Sequence, residues 1–263
     1  APPVPCTSGS QNTCECQTSP LLCSMDVLDG YNYQMTTYDN SNNGPDNPMC
    51  QNATNTTSHN PTWFRFLAWC PDIDLSVLAN MCTTQGGCRG IQLAVFPECN
   101  WQDPNNSVAC EVTDCLNFGQ GTSHTLTVNM SGLIVGQTYS MVVDGCCNSA
   151  CNVTITVTSP PCPPVLAPWP DGNSSIMGET EVCVGSTHQY DVNIPSGGVK
   201  FLWELGTSLS NLSFHDVSQY NGGTPNVATS VTWSNPGTYY LCVDASNQCV
   251  GYDDPPPPNC ITV

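Results

Sequence analysis

The residues with most chemical capacity in this chain are its nineteen cysteines, spread over 263 residues that hold only three cationic side chains, Arg65, Arg89 and Lys200. Two chemistries compete for them. Zinc is one, because Cys14 with Cys16, Cys110 with Cys115, and Cys147 with Cys151 lie close together. Structural zinc sites need paired C-x-x-C units or closely spaced histidines; no pair of C-x-x-C motifs exists here, and His59, His124, His188 and His215 are scattered. Oxidation is the other, and thiols at this density persist only in an oxidising compartment. The candidate disulfide residues are Cys6, Cys14, Cys16, Cys23, Cys50, Cys70, Cys82, Cys88, Cys99, Cys110, Cys115, Cys146, Cys147, Cys151, Cys162, Cys183, Cys242, Cys249 and Cys260. Their odd total leaves at least one unpaired or joined to another molecule, and spacing alone does not give the connectivity. If adjacent Cys146 and Cys147 end a strand, they point to opposite faces and each needs its own partner. A bridge closing a long loop contributes about 2–4 kcal/mol, so reduction should damage the fold more than any single core substitution.

Other chemistries leave fainter traces. There is no Gly-x-Ser-x-Gly elbow, no H-E-x-x-H and no glycine-rich phosphate loop. Paired glycosidase carboxylates would be spatial rather than sequential, but charged residues are only 9% of the chain, so no catalytic or cofactor-binding residues are expected. Asp39, Ser41 and Asn43 alternate ahead of Gly44 as in a calcium loop, yet the twelfth position is Cys50 instead of the bidentate Glu. An ordinary polar turn is the expected reading there, with calcium as the alternative. The pairs Asp72 with Asp74 and Asp253 with Asp254 read as solvated strand ends. Seven Asn-x-Ser/Thr sequons, at Asn52, Asn55, Asn105, Asn129, Asn152, Asn173 and Asn211, are candidate glycosylation sites. Trp63, Trp69, Trp101, Trp169 and Trp203 could stack on sugars, but most alternate into expected cores; Trp101 and Trp169, lying in loops, are the exposed candidates.

The elements that must position these residues are strands. Ile73, Leu75 and Val77 alternate at period two, as do Ile91, Leu93 and Val95; Leu126, Val128 and Met130; Tyr139, Met141 and Val143; and Val153, Ile155 and Val157. A short helix near Leu75–Met81 is the one helical alternative. Turn residues fill the gaps, as at Asn40–Pro48 and Ser131–Gly132. Scarce charge with many Ser, Thr and Asn predicts a polar, uncharged skin on the outward strand faces. The stretch Ser159-Pro-Pro-Cys-Pro-Pro-Val-Leu-Ala-Pro-Trp-Pro170 interrupts ladder pairing and marks a boundary. Alternation then resumes at Tyr190, Val192 and Ile194; Phe201, Trp203 and Leu205; Val231 and Trp233; Tyr239, Leu241 and Val243; and Ile261. Trp203 and Cys242 are the expected core pair of this second part. The fold class is therefore all-β: a disulfide-rich, jelly-roll-like β-sandwich over residues 1–160, then an immunoglobulin-like sandwich over residues 161–263.

Net charge is −18, spread over both parts, which disfavours nucleic acid and anionic membranes as partners. No apolar run of about eighteen residues is present, so no membrane insertion is expected. The chain opens on Ala1 rather than Met, as expected once a secretory leader has been removed.

Residues 176–250 resemble a PKD-type module, on the motifs Glu181-Val-Cys-Val-Gly-Ser-Thr-His-Gln-Tyr190, Phe201-Leu-Trp203, Val231-Thr-Trp-Ser234 and Gly237-Thr-Tyr-Tyr-Leu-Cys-Val-Asp-Ala-Ser-Asn-Gln-Cys249. Leu209–Asn221 departs from that family's Gly-rich segment and is more polar. The first part resembles a β-rich module of secreted surface proteins from gliding bacteria of the Bacteroidetes group. It does so through Pro20–Cys23, Thr62-Trp-Phe-Arg-Phe-Leu-Ala68, Gly90-Ile-Gln-Leu-Ala-Val-Phe-Pro-Glu-Cys99, Leu133–Gly145 and Cys151–Val157. The resemblance implies an adhesive or structural part without catalytic residues, although cysteine density here is higher than in such modules.

The proline-rich segments Ala1-Pro-Pro-Val-Pro5 and Asp254-Pro-Pro-Pro-Pro258 are extended by composition. An extended terminus laid on another molecule's open sheet edge gives a heterologous contact, which makes a fibre where it does not close. The expected function is that of an extracellular, secreted or cell-surface, non-enzymatic structural protein. It would be the repeating subunit of a surface filament or fibrous coat, joined head-to-tail, with copies of itself and attached glycans as partners. The alternative is a monomeric adhesin or glycan-binding module.

Overall fold

Period-two alternation becomes strand throughout the residues that the computed structural model describes, which are 12–36, 49–50, 58–83, 89–113, 115, 123–160, 176–193, 199–220, 226–249 and 259–263. The helical pieces among them are short 3-10 turns, and the protein is all-β. The chain divides into two units, Ala1–Pro163 and Pro164–Val263.

Unit 1 holds β1 (Leu21–Leu22), β2 (Tyr31–Gln34), β3 (Thr62–Leu67), β4 (Ile73–Asn80), β5 (Ile91–Pro97), β6 (Ala109–Val112), β7 (His124–Met130), β8 (Thr138–Gly145) and β9 (Asn152–Val157). One sheet runs β1-β3-β8-β5-β6 and the other β2-β9-β4-β7. Pairing is antiparallel except between β1 and β3. Every connection but β5–β6 passes from one sheet to the other, the wrapping that makes the sandwich jelly-roll-like. In β4, Ile73, Leu75, Val77 and Ala79 are buried while the residues between them are half-exposed. A helix over Leu75–Met81 would have turned these side chains around its axis; the strand lines them along one face. Between β7 and β8 the chain reverses at Gly132, whose φ of 70° suits glycine best.

The first sheet departs from the expected polar skin. Strands β3, β5 and β8 are buried along nearly their whole length. Phe64, Phe66, Leu93, Val95, Met141 and Val143 face the main core, while Trp63, Ala94, Phe96 and Val142 pack on the other side with Cys16 and Met49. Bridges Cys16–Cys99 and Cys50–Cys110 fasten the covering segments across sequence separations of 83 and 60 residues. A sheet covered on both faces needs apolar residues at both parities, hence the near-continuous apolar runs of these strands. The adjacent cysteines do not end a strand: β8 stops at Gly145 and Cys146–Asn148 is a 3-10 turn. Left-handed backbone at Cys147, φ 50°, separates the two side chains. Cys146 is bonded to Cys115, and Cys147 lies in another disulfide.

Unit 2 holds β10 (Ile176–Met177), β11 (Thr187–Asn193), β12 (Lys200–Gly206), β13 (Leu212–Gln219), β14 (Asn226–Thr232), β15 (Tyr240–Ser246) and β16 (Asn259–Thr262). A three-stranded sheet, β10-β11-β14, and a four-stranded one, β13-β12-β15-β16, form the immunoglobulin-like sandwich. Tyr190, Val192, Phe201, Trp203, Val231 and Leu241 are buried. The expected Trp203–Cys242 pair does not form. Trp203 stands opposite Val243, whereas Cys242 stands opposite Glu204 and Cys260. Neighbouring positions on a strand face opposite ways, so Trp203 enters the core and Cys242 is bonded to Cys260 across the other face.

Strand β13 was not legible from alternation because its polarity is inverted. Opposite the inward residues Phe201, Trp203 and Leu205 it places Ser218, Asp216 and Ser213. These polar groups are used: Trp203 Nε1 donates to Ser218 Oγ at 2.8 Å, and Thr229 Oγ1 donates to Asp216 Oδ2 at 2.8 Å. A register shift after Trp203 carries the strand past His215. Phe214 and Val217 consequently turn outward, 67% and 49% exposed.

Candidate functional site

Three segments of unit 2 enclose a groove: residues 180–184 after β10, residues 235–239 after β14, and Thr262 with Val263. Backbone bonds fix its walls. Gly185 N–H donates to the Trp233 carbonyl at 2.7 Å, Trp233 N–H to the Ser186 carbonyl at 3.0 Å, and Tyr239 and Val263 exchange a pair at 2.8 Å. Buried Trp233 meets Tyr190 edge-on at 6.1 Å and Tyr239 at 5.4 Å with an interplanar angle of 53°. Tyr239 is half-buried. A Cβ on Gly237 would come 3.5 Å from the Tyr239 ring, and its φ of 153° is one that side chains avoid, so the turn stays slim beside the aromatic wall.

The groove has a volume of about 570 Å³, within the range of small-ligand sites. Val182, Val184 and Pro236 extend the apolar lining, Glu181 and Asn235 supply polar groups, and no cation lines it among the described residues. Of its two rings only Tyr239 is partly exposed, Trp233 being 4% exposed beneath it, and Glu181 without a cation disfavours anions. Sequence reasoning spent Trp233 and Tyr239 on the core; the signal missed was Asn235-Pro236-Gly237, a turn set between two aromatics.

A second polar centre lies inside unit 1. Asp144 Oδ1 accepts from the backbone N–H of His59 at 3.0 Å and of Asn60 at 2.7 Å, and Oδ2 accepts from Gln92 Nε2 at 2.7 Å. Asn60 Oδ1 accepts from Gly145 N–H at 3.0 Å, and its Nδ2 donates to the carbonyls of Thr36 at 2.5 Å and Ser149 at 3.2 Å. Burial pushes the Asp144 carboxyl up to about 6, against the pull of its three donors. With 0% of its surface exposed it has no substrate to reach, so its work is to lock residues 58–60 onto β5 and β8.

The remaining sequence-derived candidates are dispersed. Fifteen described cysteines are in disulfides, including Cys82–Cys151; Cys14, Cys23, Cys70 and Cys249 are among them. Among the described residues Cys183 is free and exposed. Cys6, Cys88 and Cys162 lie outside the described residues. Asn105, Asn129 and Asn211 are exposed and Asn152 is half-buried; Asn105 Nδ2 donates to Asp103 Oδ1 and Asn129 Nδ2 to Asp74 Oδ1, each at 2.7 Å. Asn52, Asn55 and Asn173 lie outside the described residues, as do Asp39, Ser41, Asn43, Asp253, Asp254, Trp169 and both proline-rich segments, Ala1–Pro5 and Asp254–Pro258. No group of three or more metal-ligating side chains converges among the described residues. Trp101, expected exposed, is half-buried against Trp63 with ring centroids 6.3 Å apart, under the cover of the first sheet. No described helix is long and apolar enough to cross a membrane.

Compared with family models and with curated protein sequences, the chain gives no match. Among solved structures it is similar to a putative membrane anchored protein from Corynebacterium diphtheriae, with TM-score 0.28 and 10% identity over 78% of this chain and 48% of that one. It is similar to the FN1–FN3 domains of chicken CNTN1, with TM-score 0.27 and 10% identity over 66% of this chain and 55% of that one. A third is the glycoside hydrolase domain of Endo-D from Streptococcus pneumoniae R6, with TM-score 0.25 and 10% identity over 77% and 31%. The chain thus spans about half the length of the first two and a third of the last. The fold assignment rests on the strand order and register given above.

Proposed function

We propose that this protein is an extracellular, non-enzymatic structural subunit, two sandwiches in series with a PKD-type module second, that polymerises head-to-tail into a surface filament or fibrous coat. The observation that carries the reading is the outward face of β13. Phe214, Val217 and, in the preceding loop, Leu209 are exposed, at 67%, 49% and 60%, on and beside an edge strand. Edge strands facing water are ordinarily blunted by charge, proline or brevity. This one carries a register shift after Trp203 and an inward Asp216, devices that guard an edge against strand pairing, so the support for contact comes from its outward face, where Phe214 and Val217 stand exposed.

Disulfides support the reading from another side. They tie covering segments to the first sheet and β15 to β16, and they form in an oxidising compartment. The same chemistry gives the durability an exposed coat needs. Size-exclusion chromatography and negative-stain imaging of native material test the proposal. Filaments are expected from the native chain, and a Phe214→Lys, Val217→Lys chain is expected to run as a monomer with unchanged melting. A clean native monomer at high concentration would overturn it. The second reading, a glycan-binding module, is favoured by the half-buried Tyr239 in the groove; binding on a glycan array that disappears in Tyr239→Ser would support it.

A further inference from the structure

We propose that the unit 2 groove receives the Phe214 side chain of a second copy, an inference that rests on the head-to-tail reading above and names the surface that meets β13. Six large apolar side chains stand exposed among the described residues, and five of them are in unit 2. They form two sets: Leu209, Phe214 and Val217 on and beside β13, and Met177 and Val184 on β10 and in the segment after it. The first set projects from a strand face. The second borders a hollow, since Val184 lines the groove with Val182, Pro236 and the partly exposed Tyr239. Trp233, buried beneath Tyr239, serves only to hold that ring. An apolar ridge and an apolar hollow each bury what the other leaves in water. The groove's volume of about 570 Å³ takes a benzyl group whole, and the Phe214 ring suits Tyr239 in an edge-on or offset contact.

Topology keeps the two sets of one copy apart. Strand β13 is one edge of the four-stranded sheet and lies next to β14; β16, whose Thr262 lines the groove, is the other edge and lies next to β10. Three interstrand steps of about 4.8 Å separate those edges, so a copy's own Phe214 does not reach its own groove. The contact therefore joins unlike surfaces on two copies. Each pair keeps one free Phe214 and one free groove for further copies, an arrangement that propagates unless the rotation closes it. Charge selects the same occupant. Glu181 lines the groove and no described cation balances it, and most surfaces of a chain with net charge −18 would bring more carboxylates to it. Leu209, Phe214 and Val217 bring none, although Glu204 stands across from Phe214 on β12.

The test measures the light-scattering mass of two full-length variants, singly and mixed. Phe214→Asp removes the ridge and keeps the groove; Val184→Asp spoils the groove and keeps the ridge. Both positions are exposed, at 67% and 55%, so both chains should fold. Each alone is expected to stay at 28.1 kDa. An equimolar mixture should reach the mass of two chains and stop, because one intact ridge then meets one intact groove. Tyr239→Ser should weaken native association about tenfold, the size of one lost aromatic contact. Glu204→Lys, brought opposite Glu181, should strengthen it up to about fivefold. A Val184→Asp chain that assembles like the native one, a mixture that stays at one chain, or weaker association of Glu204→Lys would overturn the groove assignment and leave the filament standing. A native chain that stops at two copies while the mixture also pairs would support the groove and overturn the filament. A native chain that stays at one copy would overturn both.

Discussion

Gln92 on β5 donates its side-chain amide to Asp144 Oδ2 on β8 at 2.7 Å, and neither residue exposes any surface. Burial lifts the carboxyl from an ordinary 3.8 to about 6 because desolvation outweighs the donors from Gln92, His59 and Asn60. The folded chain therefore holds this proton more tightly than the unfolded one. The contribution is fully present below about pH 4 and is lost as pH rises through about 6. Two units correspond to about 3 kcal/mol. Relief of repulsion in a chain of net charge −18 acts in the same direction. The urea midpoint should be higher near pH 4 than near pH 7.5, and Asp144→Asn, whose amide keeps an oxygen for the His59 and Asn60 N–H donors, should flatten the profile across that window. A native midpoint that rises steadily from acid to neutral pH would contradict the account.

The strands were legible where one face is buried. Ile73, Leu75 and Val77, or Leu126, Val128 and Met130, alternate because water lies on one side and core on the other. The cover on the first sheet was not, since its outer cluster is completed by residues such as Cys16 and Met49, brought from far along the chain by bridges. Asp144 was not singled out by the sequence, because its donors are 52 to 85 residues away. The groove needs three separate segments to exist, and β13 hid because its polar residues satisfy Trp203 Nε1 and Thr229 Oγ1 instead of facing water.

Because Trp203 and Cys242 face opposite sides of their sheet, their energies should be separable. Trp203→Ala is expected to cost about 3–5 kcal/mol through lost core packing. Removing the Cys242–Cys260 bridge, which spans 18 residues, should cost about 3 kcal/mol through loop entropy. In a double-mutant cycle read by chemical denaturation the two should add within about 0.5 kcal/mol. A coupling several times larger would place both in one core.

The bridges over the first sheet close longer loops, 83 residues for Cys16–Cys99 and 60 for Cys50–Cys110, each worth about 4 kcal/mol in the chain-entropy account. Removing Cys16 and Cys99 together should loosen the cover before the core. Hydrogen exchange should accelerate around residues 12–19 and at Trp101 while β4 and β7 stay protected. Simultaneous loss of protection in both sheets would contradict a separately fastened cover.

If Phe214 and Val217 form the contact surface, association works against the repulsion of like-charged copies, and salt should help it. Screening shortens that repulsion to about 8 Å at physiological ionic strength, while apolar contact is little affected. Raising ionic strength from about 10 to 150 mM should therefore lengthen the assemblies. Dissolution by the same change would point to a join made by charge.

The most direct measurement is the light-scattering mass of the native chain across a concentration series at physiological ionic strength. The account predicts a mass that climbs with concentration to many multiples of 28.1 kDa, and a Phe214→Lys, Val217→Lys chain that stays at one. A native mass of 28.1 kDa at every concentration would contradict it.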